Sequence, residues 1–506
     1  MAARVDKNST RQALRSISLV ILILFWTSIY FANRIPGLAV PYSRGRISDI
    51  FVIVAVLLLI WMLIRQKASL PLNNLFTRGM KWIWISFALW AALALIYTAI
   101  YGGVFELATR FGGYLGYFAL PVCIALLTRP PTEKVLLLAL TSLLQAGIVT
   151  NSVAYFLVYN GNSLRHWELR GFTENPNIAA AWFSGLSLII YLAGATSESR
   201  RFRTYQLIVV TQGVVFVGLL SGQAWILGVS LSLVFGPLLL PLKRSRRFRL
   251  SLGGFALVSV MTILPGSLVQ MSIGNSPQLS LSISQTLDVR EPPREIFPAL
   301  DGLLNTNPDS DTRLGNAEKS NSFSSPGVAN PDSDTRLGNA EKSNSFSSPG
   351  VAETGVQTVT EAFTVLEQVP LPSGLKERFR FWIIGLQNWQ EYPLGVGFDR
   401  AYVSDSRFPG GSGGEFHSEA ITQVAALGPL GLLLWVAVLV SIWVAGNGVT
   451  RALLIGAIPV LVSDNSMSNR TLWLVLATGF LYEQAALRSR EPDPRNIGRG
   501  SIQAEI

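Results

Sequence analysis

Charged residues, histidine and cysteine are scarce in this chain. Lys, Arg, Asp and Glu make up 14% of its 506 residues, whereas 49% are hydrophobic. Because soluble domains carry roughly one quarter charged residues, an ordinary water-soluble fold is excluded. The single cysteine, Cys123, excludes an internal disulfide and a cysteine metal cluster. Only two histidines are present in the sequence, His166 and His417.

The hydrophobic residues are concentrated in continuous runs close to the 20 or so residues that a helix needs to cross a bilayer. The runs do not alternate with polar residues, so they predict helices rather than barrel strands. We therefore predict an all-α integral membrane protein with about 12 transmembrane helices. The predicted spans are Ile17–Ala32, Ile47–Ile64, Trp82–Gly102, Phe111–Leu127, Val135–Val158, Ile178–Ala195, Gln206–Leu220, Ala224–Leu242, Leu250–Val269, Ala420–Ala445, Ala452–Val462 and Leu472–Leu487.

The net charge of +10 indicates a membrane topology rather than a nucleic-acid partner, because the basic residues gather between predicted spans. Placing these clusters in the cytoplasm satisfies the positive-inside rule. Four regions follow: an N-terminal membrane region with spans 1–9 (residues 1–271), an extracytoplasmic loop (272–416), a C-terminal membrane region with spans 10–12 (417–487) and a cytoplasmic tail (488–506). Both histidines then lie on the extracytoplasmic side, which is the periplasm in a bacterium with two membranes.

The long loop begins with a polar stretch that contains an identical tandem repeat, residues 307–329 and 330–352. Its Ser, Asn, Pro, Gly and Asp content cannot bury enough apolar surface to fold alone, so the sequence predicts a disordered spacer. Asp309 and Asp311 imitate the acidic pair of metal-dependent nucleotide-sugar transferases, as do Asp332 and Asp334. Because these pairs lie in a duplicated polar insert, we interpret them as a false metal motif and expect no metal.

An amphipathic helix is predicted near residues 376–391, after the repeat. Its apolar residues recur at helical spacing with charges between them, which is typical of a helix lying at the membrane interface. The stripe consists of Phe379, Trp382, Ile383, Leu386 and Trp389. The segment from Pro393 to Gly397 is expected to end this helix.

Three polar motifs fall on the predicted outer face. The first runs from Arg170 to Asn177, and the second joins Arg378-Phe-Arg-Phe-Trp382 to Pro393-Leu-Gly-Val-Gly397. The third is His417-Ser-Glu419, followed by Gly428-Pro-Leu-Gly431. In this order and placement they resemble the O-antigen ligase and O-antigen polymerase family of bacterial surface-polysaccharide assembly.

The resemblance implies a GT-C-like glycosyltransferase of the bacterial inner membrane. Such an enzyme moves a glycan from an undecaprenyl-diphosphate carrier to a sugar hydroxyl on a lipid-anchored or glycan acceptor, without metal or cofactor. The acceptor is a core sugar of lipopolysaccharide for a ligase and a second carrier-linked glycan for a polymerase, and the sequence leaves both open. No nucleic-acid partner is expected.

Particular residues fit the demands of this reaction. Fixed cations must hold the diphosphate, and the arginine fork binds phosphate oxygens bidentately. A histidine that titrates near neutral pH suits proton removal from the acceptor. The expected roles are catalysis for His417 and Glu419, diphosphate binding for Arg170, Arg378, Arg380 and Arg400, and substrate binding for Asn175, Asn177, Asp399 and Glu415.

One departure from the family and one alternative stay open. Family members usually carry a Ser-Arg-Gly type turn between the seventh and eighth spans, where this chain has Ser221-Gly222-Gln223. Arg378 and Arg380 could cover the missing cation, the donor could differ, or transferase activity could be lost, which would leave a scaffold protein. The alternative function is a transporter of a small anion such as bicarbonate. The scarcity of ionisable residues within the spans favours surface chemistry over transport.

Overall fold

The computed structural model describes residues 7–30, 52–57, 60, 77–128, 131–158, 173, 176–195, 200–220, 223–274, 364, 366, 368, 373–398, 401, 416–463 and 469–490. Helices dominate these ranges, which contain no β-strand. The principal helices are α1 (Lys7–Tyr30), α2 (Arg78–Tyr101), α3 (Val104–Phe111), α4 (Leu120–Thr128), α5 (Glu133–Val158), α6 (Pro176–Gly194), α7 (Arg200–Leu219), α8 (Gln223–Leu239), α9 (Arg244–Gly274), α10 (Ser373–Glu391), α11 (Glu419–Ala445), α12 (Gly448–Ser463) and α13 (Arg470–Arg490).

Seven helical segments are long and apolar enough to cross a membrane, and three further apolar helices are shorter. The predicted all-α class is confirmed, and these segments are compatible with a multi-pass membrane protein. The total of 12 spans stays a prediction, because the second span is described only at residues 52–57 and 60. The tandem repeat lies outside the described residues. The seven long segments are Gly79–Tyr101, Glu106–Leu127, Glu133–Tyr155, Pro176–Gly194, Arg201–Leu219, Arg244–Leu264 and Glu419–Ala445.

Helix α6 forms the centre of the bundle. Nearly all of its side chains are buried, and it packs against α1, α5, α7, α8, α12 and α13. The buried Trp182 indole N–H donates to the carbonyl of Trp26 on α1 at 2.8 Å, and the Trp26 indole N–H donates to Thr478 on α13 at 3.1 Å. An indole needs a hydrogen-bond partner when buried, so these contacts fix α1 and α13 against the central helix.

Small residues bring α8 and α12 into close contact. A Cβ atom added at Gly228 would lie 2.2 Å from the Gly456 carbonyl oxygen, so only glycine allows this approach. The Ser232 hydroxyl donates to the Ala452 carbonyl at 2.7 Å. Close backbone approach at small residues is typical of helix packing in membranes, where apolar burial supplies no driving force between helices.

The helices that carry the outer motifs are arranged in antiparallel order. Helices α2 and α11 run in opposite directions, with Ser86 and Ser441 hydroxyls 3.1 Å apart near one end. In the middle of α2, the Trp90 indole N–H donates to Gln423 near the start of α11 at 2.8 Å. This arrangement places the start of α11 beside the middle of α2.

Arginines of the predicted cytoplasmic clusters close helix ends at the opposite end of the bundle. Arg246 donates to the carbonyl of Ala195 at the end of α6, and Arg247 donates to the carbonyls of Leu238 (3.0 Å) and Leu242 (2.7 Å) after α8. The last carbonyls of a helix lack intrahelical partners, and basic side chains satisfy them. These contacts give Arg246 and Arg247 a structural role in addition to the topological role predicted for the basic clusters.

Glu483 on α13 caps the start of α12, and its removal is expected to lower stability. Its carboxylate accepts the backbone N–H groups of Asn447 (2.8 Å) and Thr450 (2.9 Å) and the Thr450 hydroxyl (2.8 Å). Glu483→Ala strips these buried donors of their partner, which costs roughly 2 kcal/mol or more. Thermal unfolding in detergent measures the loss, with Glu106→Ala as a partly exposed control on α3. Equal melting temperatures for both variants would contradict the capping role.

Candidate functional site

His417 lies exposed at the start of α11, in an unusual backbone conformation. Its φ of 49° is the one positive value at a non-glycine position among the residues described above. Such a conformation is uncommon outside glycine and persists where the surrounding structure enforces it. The neighbours Phe416 and Ser418 are both buried. The chain therefore presents the His417 imidazole outward between two buried anchors.

Helix α10 packs beside His417. The Trp382 indole N–H donates to the His417 carbonyl at 3.4 Å, and the Phe381 ring meets the imidazole edge-on, with centroids 5.4 Å apart. Gly385 lets α10 approach α11 closely, since a Cβ there would lie 2.3 Å from a methyl carbon of Ile421. The second and third sequence motifs are thus brought together as expected from their shared placement.

The predicted amphipathic helix is present as α10, and its predicted stripe is partly exposed. The buried face consists of Phe381, Ile384, Gly385 and Asn388. Leu386, a member of the predicted stripe, is 44% exposed, and the other members of the stripe are partly exposed. Steps of 100° per residue place the two sets on opposite sides of the helix. The helix therefore has one face against α11 and a second, partly exposed aromatic face, with Trp382 at the boundary in contact with His417.

Arg378 and Arg380 lie on this helix, and both side chains are partly exposed. Arg378 precedes Trp382 by four residues, so the two share one side of the helix one turn apart. Since Trp382 contacts His417, the arginine-bearing turn of α10 lies close to the histidine. The arrangement offers partly exposed cations on a helix that packs beside an exposed imidazole.

Glu419 is buried in a polar network that the sequence did not reveal. Its side chain is 0% exposed and pairs with Arg110 of α3 at 2.7 Å. Gln423 donates to the same carboxylate oxygen at 2.6 Å and in turn accepts the Trp90 indole N–H at 2.8 Å. The Phe398 ring lies 4.7 Å from the Arg110 guanidinium carbon, a cation–π distance. Arg110 could have been noticed as a cation at the edge of an apolar run.

Helix α11 is broken at Gly428-Pro429. Gly428 has the non-helical angles φ 69° and ψ −171°, and Pro429 has no N–H to donate. The carbonyls of Ala425 and Ala426 therefore lose their helical partners at this point. Because these two carbonyls lie in a buried stretch of the helix, they need other hydrogen-bond donors.

The turn after α10 supplies those donors. The N–H of Val396 donates to Ala425 at 3.0 Å, and the N–H of Gly397 donates to Ala426 at 2.8 Å. The Tyr97 hydroxyl of α2 donates to the Leu394 carbonyl of the same turn. Residues 393–398 are therefore fastened to the break in α11, and we call this contact the turn–break lock.

Asn177 is the one remaining predicted site residue that the structure describes. Asn177 lies exposed in the first turn of α6. Arg170, Asn175, Asp399, Arg400 and Glu415 lie outside the described residues, as do His166 and the Ser221-Gly222 turn. Within the described ranges, no group of three or more His, Cys, Asp or Glu side chains is placed to hold a metal ion.

Comparisons with protein-family models and with curated proteins found no match to this chain. The resemblance to the O-antigen ligase and polymerase family therefore still depends on the three sequence motifs alone.

Proposed function

We propose that the chain is a metal-independent membrane glycosyltransferase of the O-antigen ligase or polymerase type. The observation that carries this proposal is the contact between α10 and His417, which places the helix turn of the partly exposed Arg378 beside an exposed imidazole. A lipid-diphosphate donor requires fixed cations, and an attacking hydroxyl requires a base. Both groups occur together where a helix compatible with a membrane span begins.

In the proposed reaction, the acceptor hydroxyl attacks the sugar carbon that is bonded to the carrier diphosphate. A new glycosidic C–O bond forms, the bond to the diphosphate oxygen breaks, and undecaprenyl diphosphate leaves. His417 accepts the hydroxyl proton, while Arg378 and Arg380 stabilise the charge that develops on the leaving group. Arg170 and Arg400 are proposed to assist with the diphosphate, and Asn175, Asn177, Asp399 and Glu415 with the sugars. The proposed location is the periplasmic face of a bacterial inner membrane.

The second candidate function is transport of a small anion such as bicarbonate. One observation favours it, namely the buried Arg110–Glu419 pair next to the broken helix α11. Discontinuous helices and buried ionisable groups are features of transport sites. The transferase is preferred because the guanidinium of Arg110 is already held by a carboxylate and an aromatic ring, whereas Arg378 and Arg380 are partly exposed.

Deletion of the gene and complementation test the proposal. The deletion strain is expected to lose long surface glycans on a polysaccharide gel, and wild-type protein restores them. Arg378→Ala is expected to fail, since the diphosphate loses a cation, whereas Lys376→Ala on the same helix succeeds. A chain lacking residues 307–352 also succeeds, because the sequence predicts a spacer there. Normal glycans in the deletion strain would refute the transferase, and loss of bicarbonate uptake with normal glycans would establish the transporter.

A further inference from the structure

The Arg110–Glu419 pair is a buried charge pair whose place in the fold needs an explanation. Its two side chains are 5% and 0% exposed and come from α3 and α11, far apart in the sequence. Burying two charges is costly, and well-packed apolar side chains of similar size often give equal or greater stability. A pair of this kind is therefore better suited to fixing one geometry than to adding stability.

The geometry that the pair fixes includes the backbone of His417. Glu419 follows His417 by two residues and opens α11, so its side chain anchors the first turn of the helix. On the same turn, the Ser418 carbonyl accepts both the N–H and the hydroxyl of Thr422, each at 2.9 Å. The positive φ of His417 lies between this anchored turn and the fully buried Phe416. A strained residue of this kind keeps its conformation only while its anchors hold.

We propose that Arg110 is a positioning residue, which holds His417 in place through the buried carboxylate of Glu419. Because Glu419 is fully buried, it acts through Arg110 and the helix start rather than by touching substrate. The Phe398 ring against the Arg110 guanidinium links the same cation to the turn–break lock. The consequence for glycan transfer depends on the proposed function, whereas the placement of His417 does not.

The test compares a double variant that lacks both charges with a control double variant that removes another contact of α11. Arg110→Met with Glu419→Gln removes both charges and leaves neither buried alone, so folding is expected to be retained. Ser86→Ala with Ser441→Ala removes a different contact of α11, the one that joins its far end to α2. All proteins carry His166→Ala, so that isotope-labelled histidine gives one NMR ring signal, from His417.

The Met/Gln variant is expected to melt near the parent protein yet show a shifted or broadened His417 signal. Its glycan transfer is expected to fall about 100-fold, the loss that a displacement of roughly 1 Å can cause. The serine control keeps the parent signal and activity. An unchanged His417 signal in the folded Met/Gln variant would overturn the proposal.

Two further results keep the test decisive. If the Met/Gln variant does not fold, Arg110→Lys replaces it, because lysine preserves the charge balance but lacks the planar fork. A shifted His417 signal with Arg110→Lys supports the positioning role, and an unchanged signal refutes it. If the gene deletion leaves glycans normal, the proposed function fails while the His417 signal still decides whether Arg110 positions it.

Discussion

His417→Ala is expected to fold normally and to transfer glycan at least about 100-fold more slowly than the native protein, because it removes the proposed base. The imidazole is exposed, so its loss removes little packing. Its ring contact with Phe381 is edge-on and contributes roughly 0.5–1.5 kcal/mol. The measurement is the amount of long glycan on a polysaccharide gel, normalised to the level of the variant in the membrane.

Two control variants separate the chemistry of His417 from its backbone. His417→Asn removes the base but tolerates the positive φ better than alanine does, so it should lose transfer while matching the native melting temperature. His166→Ala removes the other histidine of the chain and should keep full transfer, since no motif includes that residue. Native glycan levels from both His417 variants would exclude the histidine as a base.

The helices could be predicted from the sequence because each one forms its backbone hydrogen bonds within itself and carries a continuous apolar run that suits apolar surroundings. Continuous apolar runs such as Trp82–Gly102 and Val135–Val158 correspond to α2 and α5, with differences of a few residues at their ends. Helices α2 and α9 begin several residues before the predicted spans, each with a charged first turn. A helix continues past the apolar run until its backbone groups lose their hydrogen-bond partners.

The sequence could not reveal which polar groups meet across the bundle. Glu419 is a candidate residue because it lies close to His417 in the sequence, yet its partner Arg110, on another helix, lies 309 residues earlier in the chain. The apolar stripe of α10 was identified correctly as helical, but periodicity alone cannot tell whether the protein or the surroundings cover a given face. Here Ile384 and Gly385 face the protein, and Leu386 does not. Tertiary contacts determine both the partner of Glu419 and the buried face of α10.

Glycine at position 395 is expected to be indispensable to the turn–break lock. Its φ is +92°, and an added Cβ would lie 2.6 Å from both the Ala426 carbonyl oxygen and the Gly428 nitrogen. Gly395→Ala must therefore strain the turn or push it off α11, which breaks the hydrogen bonds to Ala425 and Ala426. We expect a loss of about 3–5 kcal/mol, from roughly 1–3 kcal/mol of strain and about 1 kcal/mol for each of the two hydrogen bonds. Thermal unfolding in detergent measures this loss.

Gly112→Ala is the matched control for this prediction. Gly112 has helical angles, and a Cβ there meets nothing within 4 Å, so alanine should be neutral or slightly stabilising. Since the lock holds Phe398 against Arg110, Gly395→Ala should also disturb the His417 signal, whereas Gly112→Ala should not. If Gly395→Ala and Gly112→Ala melted at the same temperature, water would be able to replace the backbone N–H donors of residues 393–398. The break in α11 would then be stable without the turn, and the Pro-Leu-Gly-Val-Gly motif would need a reason other than architecture.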